Sequence, residues 1–188
     1  AWILMLSSAG VLWCAPSAHA QLAVDTSLSP YELVTQIFAG STAIISNIQY
    51  TGARSGIGYF DAMNTNLGVE EGIILGTGNI FNARGPNDNP GKSSEFGVSG
   101  DPDLTNLAGI QTFDASVLEF DFVSSSDTVK FNYVFASEEY PEFVGDQFND
   151  VFVFYVSGPG ITGQENIALI PGTVTPVAIN NLNAGVNS

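Results

Sequence analysis

Cysteine and histidine are almost missing from this sequence: there is one of each, Cys14 and His19. Both lie in the first twenty residues, and those residues have the pattern of a secretory signal peptide. Trp2 to Trp13 is almost wholly apolar and uncharged, yet shorter than the roughly 20 residues a membrane-spanning helix needs. It leads through Pro16 into Ala18-His19-Ala20, with small residues at the positions a signal peptidase reads. Cleavage after Ala20 is expected. Trp13 precedes Cys14 where lipoprotein acylation wants a small residue, so that alternative is set aside. A basic n-region and an initiating Met are both missing, which gives the expectation of an N-terminally truncated signal peptide over residues 1–20.

The expected mature chain, from residue 21, then has neither cysteine nor histidine. It is not a disulfide scaffold, despite an oxidising destination. Ordinary structural zinc sites and Ser-His-Asp or Cys-His nucleophiles are excluded. Base is also scarce: Arg54, Arg84, Lys92 and Lys130 face 19 acids, for a net charge of −15. Such a chain repels nucleic acid and anionic lipid. It suits an extracellular setting and hard cations such as calcium, which bind oxygen ligands.

What is present is mostly strand and turn. Ser29-Pro30-Tyr31-Glu32 forms a capping-box signature, with Pro at the first helical position. It predicts a short helix with Leu33, Ile37 and Phe38 on one face and Gly40 as its stop. Strands are expected at Ala43 to Tyr50, Ile57 to Phe60 and Gly72 to Leu75, followed by a long polar loop from Asn79 to about Leu107. Val117 to Val123 alternates Leu118, Phe120 and Phe122 against Glu119 and Asp121, the period of a half-buried strand. Val129 to Phe135 repeats that period with Phe131, Tyr133 and Phe135. Val151 to Val156 is apolar on both faces and predicts a central strand, with two more at Asn166 to Ile170 and Pro176 to Ile179. The fold class expected is mostly β: an antiparallel, jelly-roll-like β-sandwich with a short N-terminal helix. The chain stops at Asn187-Ser188 without a closing strand, so C-terminal strands are expected to be missing.

The segment that could carry chemistry joins two of these strands. Phe135 to Asp150 contains five carboxylates and no base. Calcium takes six to eight oxygens from carboxylates, amides and carbonyls. Glu138, Glu139, Glu142, Asp146, Asn149 and Asp150 are the candidate ligands, with Gly145 permitting a tight turn. A charged connection between strands is also ordinarily just solvated. Against that, Tyr140, Phe143 and Phe148 lie among the acids, which implies a turn folded back on the domain. Asp101 and Asp103, two apart, are further candidate ligands or a plain Asx-turn, and Gly85-Pro86-Asn87-Asp88 is a turn with spare oxygens. Glu119, Asp121, Glu138 and Glu139 are the candidates for an alternative, paired-carboxylate glycan hydrolysis. Gly76-Thr77-Gly78 lacks the lysine and the spacing of a phosphate loop and is treated as a turn.

Taken in order, these segments resemble one family. Phe131-Asn-Tyr-Val-Phe-Ala-Ser-Glu-Glu-Tyr-Pro-Glu-Phe-Val-Gly145, Phe148-Asn-Asp-Val-Phe152 and Ser157-Gly-Pro-Gly160 are similar to the choice-of-anchor L domain of bacterial surface proteins. Thr51-Gly52, Gly72 to Gly78, Gly85-Pro86-Asn87, Gly100 to Leu104, Asp114 to Asp121, Asn166 to Thr173 and Pro176 to Asn181 fit in sequence order, covering nearly all of residues 21–188. The resemblance implies an exported domain, secreted or held at the cell surface by a C-terminal sorting signal, with no settled activity. It also implies a longer domain, so the anchor and part of any cation site would lie beyond Ser188. The function expected is surface display or binding, adhesin-like and calcium-stabilised, toward a surface ligand such as a glycan or protein. Nucleic-acid binding, membrane insertion by residues 21–188 and catalysis are not expected. A purely structural module of a larger surface protein is the other alternative.

Overall fold

A computed structural model describes residues 21–185 apart from Asn87, Pro90, Gly91, Ser93, Gln147 and Phe148. The signal-peptide reading of residues 1–20, and the roles suggested for Asn87 and Phe148, fall outside the described residues. The chain is mostly β, with antiparallel strands in several small sheets and two short helices.

The first sheet joins β1 (Ala23–Asp25), β3 (Ile57–Asp61) and β4 (Glu71–Leu75), with β3 in the middle. Helix α1 (Pro30–Ile37) packs beside it. Ser29 N–H donates to the Glu32 carboxylate at 2.7 Å, and Glu32 N–H donates back to Ser29 Oγ at 3.3 Å. The capping box therefore forms as its residues predict. Donation from the Ser29 hydroxyl and amide also holds the Glu32 carboxyl below its usual range. The inward face differs from the expected one. Leu33 and Val34 are the buried pair, whereas Ile37 is 44% exposed. Phe38 lies past the last turn and reaches Phe120 and Phe131 at 5.6 and 6.4 Å between ring centroids. Gly40, at φ +80°, follows the helix.

The second sheet pairs β2 (Ile44–Thr51) with β5 (Val117–Val123). On β5 the alternation seen in the sequence is realised, with Leu118, Phe120 and Phe122 half-buried and Glu119 and Asp121 exposed. β2 changes phase: Ile45 is inward, then Ile48 and Tyr50. A register shift between Ser46 and Gln49, with Asn47 at φ +52°, is the bulge that makes this possible.

The remaining strands are short. β6 (Val151–Phe152) pairs with β9 (Val177–Ala178), and β7 (Tyr155–Val156) pairs with β8 (Glu165–Asn166). Val151 to Val156 is thus two pieces rather than one central strand. At the break, Phe154 N–H donates to the Asn166 side chain at 3.1 Å instead of a backbone carbonyl. The strand expected at Asn166 to Ile170 is reduced to β8 and a single Leu169–Pro176 bridge, and that at Pro176 to Ile179 to β9. Val129 to Phe135 forms no ladder at all. The long polar loop contains a 3-10 turn at Ile80–Arg84 and a helix, α2 (Pro102–Ala108). Asp101 caps that helix and Pro102 opens it, an N-terminal signal that a turn reading overlooks. β1 is too short to show a period.

Two apolar clusters result. Val24, Leu33, Val34, Ile57, Ala62 and Ile80 are buried around α1 and the first sheet, and Ala168, Ile170, Val177, Ala178 and Ile179 around β9. No polar or charged residue among those described is buried. Leu33, 1% exposed, is the main anchor of α1. Leu33→Ala is expected to destabilise the domain by about 3 kcal/mol in chemical denaturation, against about 1 kcal/mol for Ser29→Ala, which removes only the cap. Equal, small effects would show that α1 is not docked as described.

Candidate cation site

The acidic connection between Phe135 and Val151 folds back on the domain. Phe135 and Tyr140 stack edge to face at 6.5 Å. Ser137 Oγ donates to Asp150 Oδ2 at 2.7 Å and accepts from Glu139 N–H at 3.1 Å. Phe143 N–H donates to the Glu139 carbonyl, and Asp146 N–H to the Phe143 carbonyl, both at 3.0 Å. Gly145, at φ +87°, takes the left-handed backbone that a residue with a side chain resists.

Asn180, just past β9, fastens the turn. Its side-chain oxygen accepts from Gly145 N–H at 2.6 Å, and its amide nitrogen donates to the Asp146 carbonyl at 3.3 Å. Its own N–H donates to Asn149 Oδ1 at 3.0 Å, while Ile179 N–H donates to the Asp150 carbonyl at 3.1 Å. Tyr140 OH donates to the Leu182 carbonyl. Ser137 and Asn180 are therefore as important to this site as the acids. Nothing in their local pattern marks them, because their partners are 13 and 35 residues away.

Glu139 is the unusual group. Its Oε2 is shut off from solvent and has no hydrogen-bond partner, while the rest of the residue stays partly wetted. Desolvation, and then the nearby charges of Asp150, Glu138 and Asp146, push its carboxyl above the ordinary range. Three of the four cations have their bonds elsewhere: Arg54 on the Thr26 and Leu28 carbonyls, Arg84 on the Val24 carbonyl and Lys92 on Asp88.

Of the candidate ligands, Glu138, Glu139, Asp146 and Asp150 come within electrostatic range, with Asn149 beside them. Glu142 is exposed. Asp101 and Asp103 have a different setting. Asp101 Oδ1 accepts from the N–H groups of Asp103 and Leu104 at 2.8 and 3.0 Å as the cap of α2. Asp103 accepts from Gln164 at 2.9 Å, and it is the Tyr155 hydroxyl, pushed up by desolvation and then by Asp103 and Asp101, that feels these two acids rather than Glu139. The hydrolase candidates divide likewise, with Glu119 and Asp121 on the exposed face of β5 and Asp121 taken by Asn47 at 2.5 Å. Among the described residues, no three His, Cys, Asp or Glu side chains already stand close enough to enclose a metal ion. The turn concentrates oxygen ligands and charge but is not a preformed cage.

A family model of the choice-of-anchor L domain matches residues 22–188. The chain belongs to that family. The choice-of-anchor L domain is a module of surface-anchored or secreted bacterial proteins, so membership places this chain in an exported, surface context. No curated protein and no solved structure matches the chain. Among the described residues, no helix is long and apolar enough to cross a membrane.

The raised carboxyl of Glu139 fixes the sign of a pH effect. Protonation is favoured in the folded state, so stability is gained as pH falls through the folded pKa and is fully present below the ordinary Glu value. In calcium-free buffer Glu139→Gln is therefore expected to melt about 2 °C above wild type at pH 7, the scale of a fraction of a kcal/mol in a domain this size. The gap should close toward about pH 4, where unfolded Glu also holds its proton. A variant that melts below wild type at pH 7 would contradict this account of the site.

Proposed function

We propose that this choice-of-anchor L domain is a surface-display and binding module whose acidic turn takes up calcium. The observation that carries the reading is Glu139 Oε2, desolvated and unpartnered among the charges of Glu138, Asp146 and Asp150. Leaving a buried acceptor unsatisfied is costly, and a hard cation would satisfy it and screen its neighbours at once. Asn149 and backbone carbonyls supply neutral oxygens, and water completes the six to eight positions calcium fills. Because no cage is preformed, weak binding in the range of extracellular modules is the fitting regime, with dissociation constants on the order of 0.1–1 mM.

The distribution of the acids supports a binding role over paired-carboxylate hydrolysis. Glu119 and Asp121 stand on β5, a different element from Glu138 and Glu139. Beside the turn, Tyr140, Pro141, Val144, Asn183, Ala184 and Gly185 line an open, mostly apolar hollow. A tyrosine face next to carboxylates suits a glycan or a peptide more than an anion.

Calcium at 10 mM is expected to raise the melting temperature by about 5 °C, as follows from a ligand well above its dissociation constant and a domain of this size. EDTA should reverse the gain, and Glu139→Gln or Asp150→Asn should abolish it. An unchanged melting curve up to 10 mM calcium would rule the calcium reading out.

A further inference from the structure

Two observations about Val129 to Phe135 do not fit together in a segment that merely trails over the surface. No backbone N–H or C=O from Val129 to Ala136 meets a partner among the described residues. Yet the side chains are already in strand register with Val151 to Val156. Phe131 packs on Phe154 at 4.7 Å and Tyr133 on Phe152 at 5.1 Å, with ring planes inclined by 41° and 38°. Moving two residues forward on one segment moves two residues back on the other, which is the register of antiparallel neighbours. Toward the turn, Ser137 bonds to Asp150, one diagonal step from this register, so the two segments stay together there.

The backbone of the second segment is prepared for a partner. Asp150 and Phe154 direct their carbonyls to Ile179 and Ile167, toward β9 and β8. Successive residues of a strand turn their backbone groups to opposite edges, so Val151, Val153 and Tyr155 present theirs on the edge away from β8 and β9. Val153 makes no hydrogen bond among the described residues. Opposed residues whose backbones point away from each other form the non-hydrogen-bonded pairs, where side chains come closest. Phe131–Phe154 and Tyr133–Phe152 have that closeness. The hydrogen-bonded pairs would then be Lys130–Tyr155, Asn132–Val153 and Val134–Val151.

We propose that Val129 to Phe135 docks as an antiparallel strand on the open edge of Val151 to Val156 when the charge of the Glu138–Asp150 turn is neutralised. The turn is the connection of this hairpin, and a docked strand keeps Glu138, Glu139 and Asp150 at the close range where their charges already act on one another. Like-charge repulsion opposes closure, whereas the ring pairs favour it. Calcium in the turn would thus be read out as a completed sheet edge. The inference rests on the proposed calcium reading only for what does the neutralising; Glu138→Gln/Glu139→Gln achieves it without any ion.

Backbone amide hydrogen exchange on the full chain tests this, with and without 10 mM calcium, for wild type and the double variant. The expected result is at least about tenfold slower exchange at Lys130, Asn132, Val134, Val151, Val153 and Tyr155 on neutralisation, with Phe131 and Tyr133 unchanged, the alternation of one bonded edge. Slowing in the double variant but not in calcium would uphold docking and overturn the calcium reading. A calcium-induced rise in melting temperature with no slowing in either condition would overturn docking and leave the cation site standing. No slowing anywhere overturns docking. Should the double variant fail to fold, Glu139→Gln alone takes its place, read at the same six amides.

Discussion

Repulsion among the carboxylates between Phe135 and Val151 is the constraint on which the rest of this domain's behaviour depends. Five acids lie in that stretch with no base among them, and the bonds of Arg54, Arg84 and Lys92 lie elsewhere. The turn is nevertheless not left to solvent. Asn180 and Tyr140 hold it against the segment after β9. That fastening brings Glu139 under cover and keeps Glu138, Asp146 and Asp150 within reach of it. A charge-rich turn held down by neutral hydrogen bonds stores unfavourable electrostatic energy until something neutralises it.

The two apolar clusters divide the structure accordingly. Around α1, every local feature agrees: the capping box, Pro30, buried Leu33 and Val34, and the central strand β3. Around β9, the buried residues are mostly small or β-branched and the ladders are two residues long. Between the clusters runs a line of aromatic rings, from Phe122 through Phe120, Phe38 and Phe131 to Phe154. It joins the well-paired half of the domain to the half that contains the acidic turn, so the packing of Phe131 connects the turn's state to the rest of the fold.

Where the sequence was legible, the signal was local. Ser29-Pro30-Tyr31-Glu32 announces its helix because each capping partner is within three residues, and β5 announces itself because its alternation is uninterrupted. The mostly-β class follows from such segments. The illegible parts depend on distant partners. Whether Val129 to Phe135 forms a ladder depends on its neighbour's charge rather than on its own alternation. Val151 to Val156 is interrupted by the side chain of Asn166. Asp101-Pro102-Asp103 had the composition of a cation turn and that of a helix cap, and the seven residues after Asp101 decide for the cap. The acidic turn itself was visible as a concentration of ligands with interspersed aromatics. Its division into a coupled group around Glu139 and an exposed Glu142 was not, because burial of a single carboxylate oxygen is a tertiary property.

The central claim is the proposal that the Glu139 oxygen is a calcium ligand. A crystal structure of the domain grown in 10 mM calcium tests it most directly. The account predicts density for a cation with oxygens of Glu139 and at least two of Glu138, Asp146 and Asp150 at about 2.3–2.6 Å, the range of calcium–oxygen bonds. Only water around these carboxylates at that concentration would contradict it.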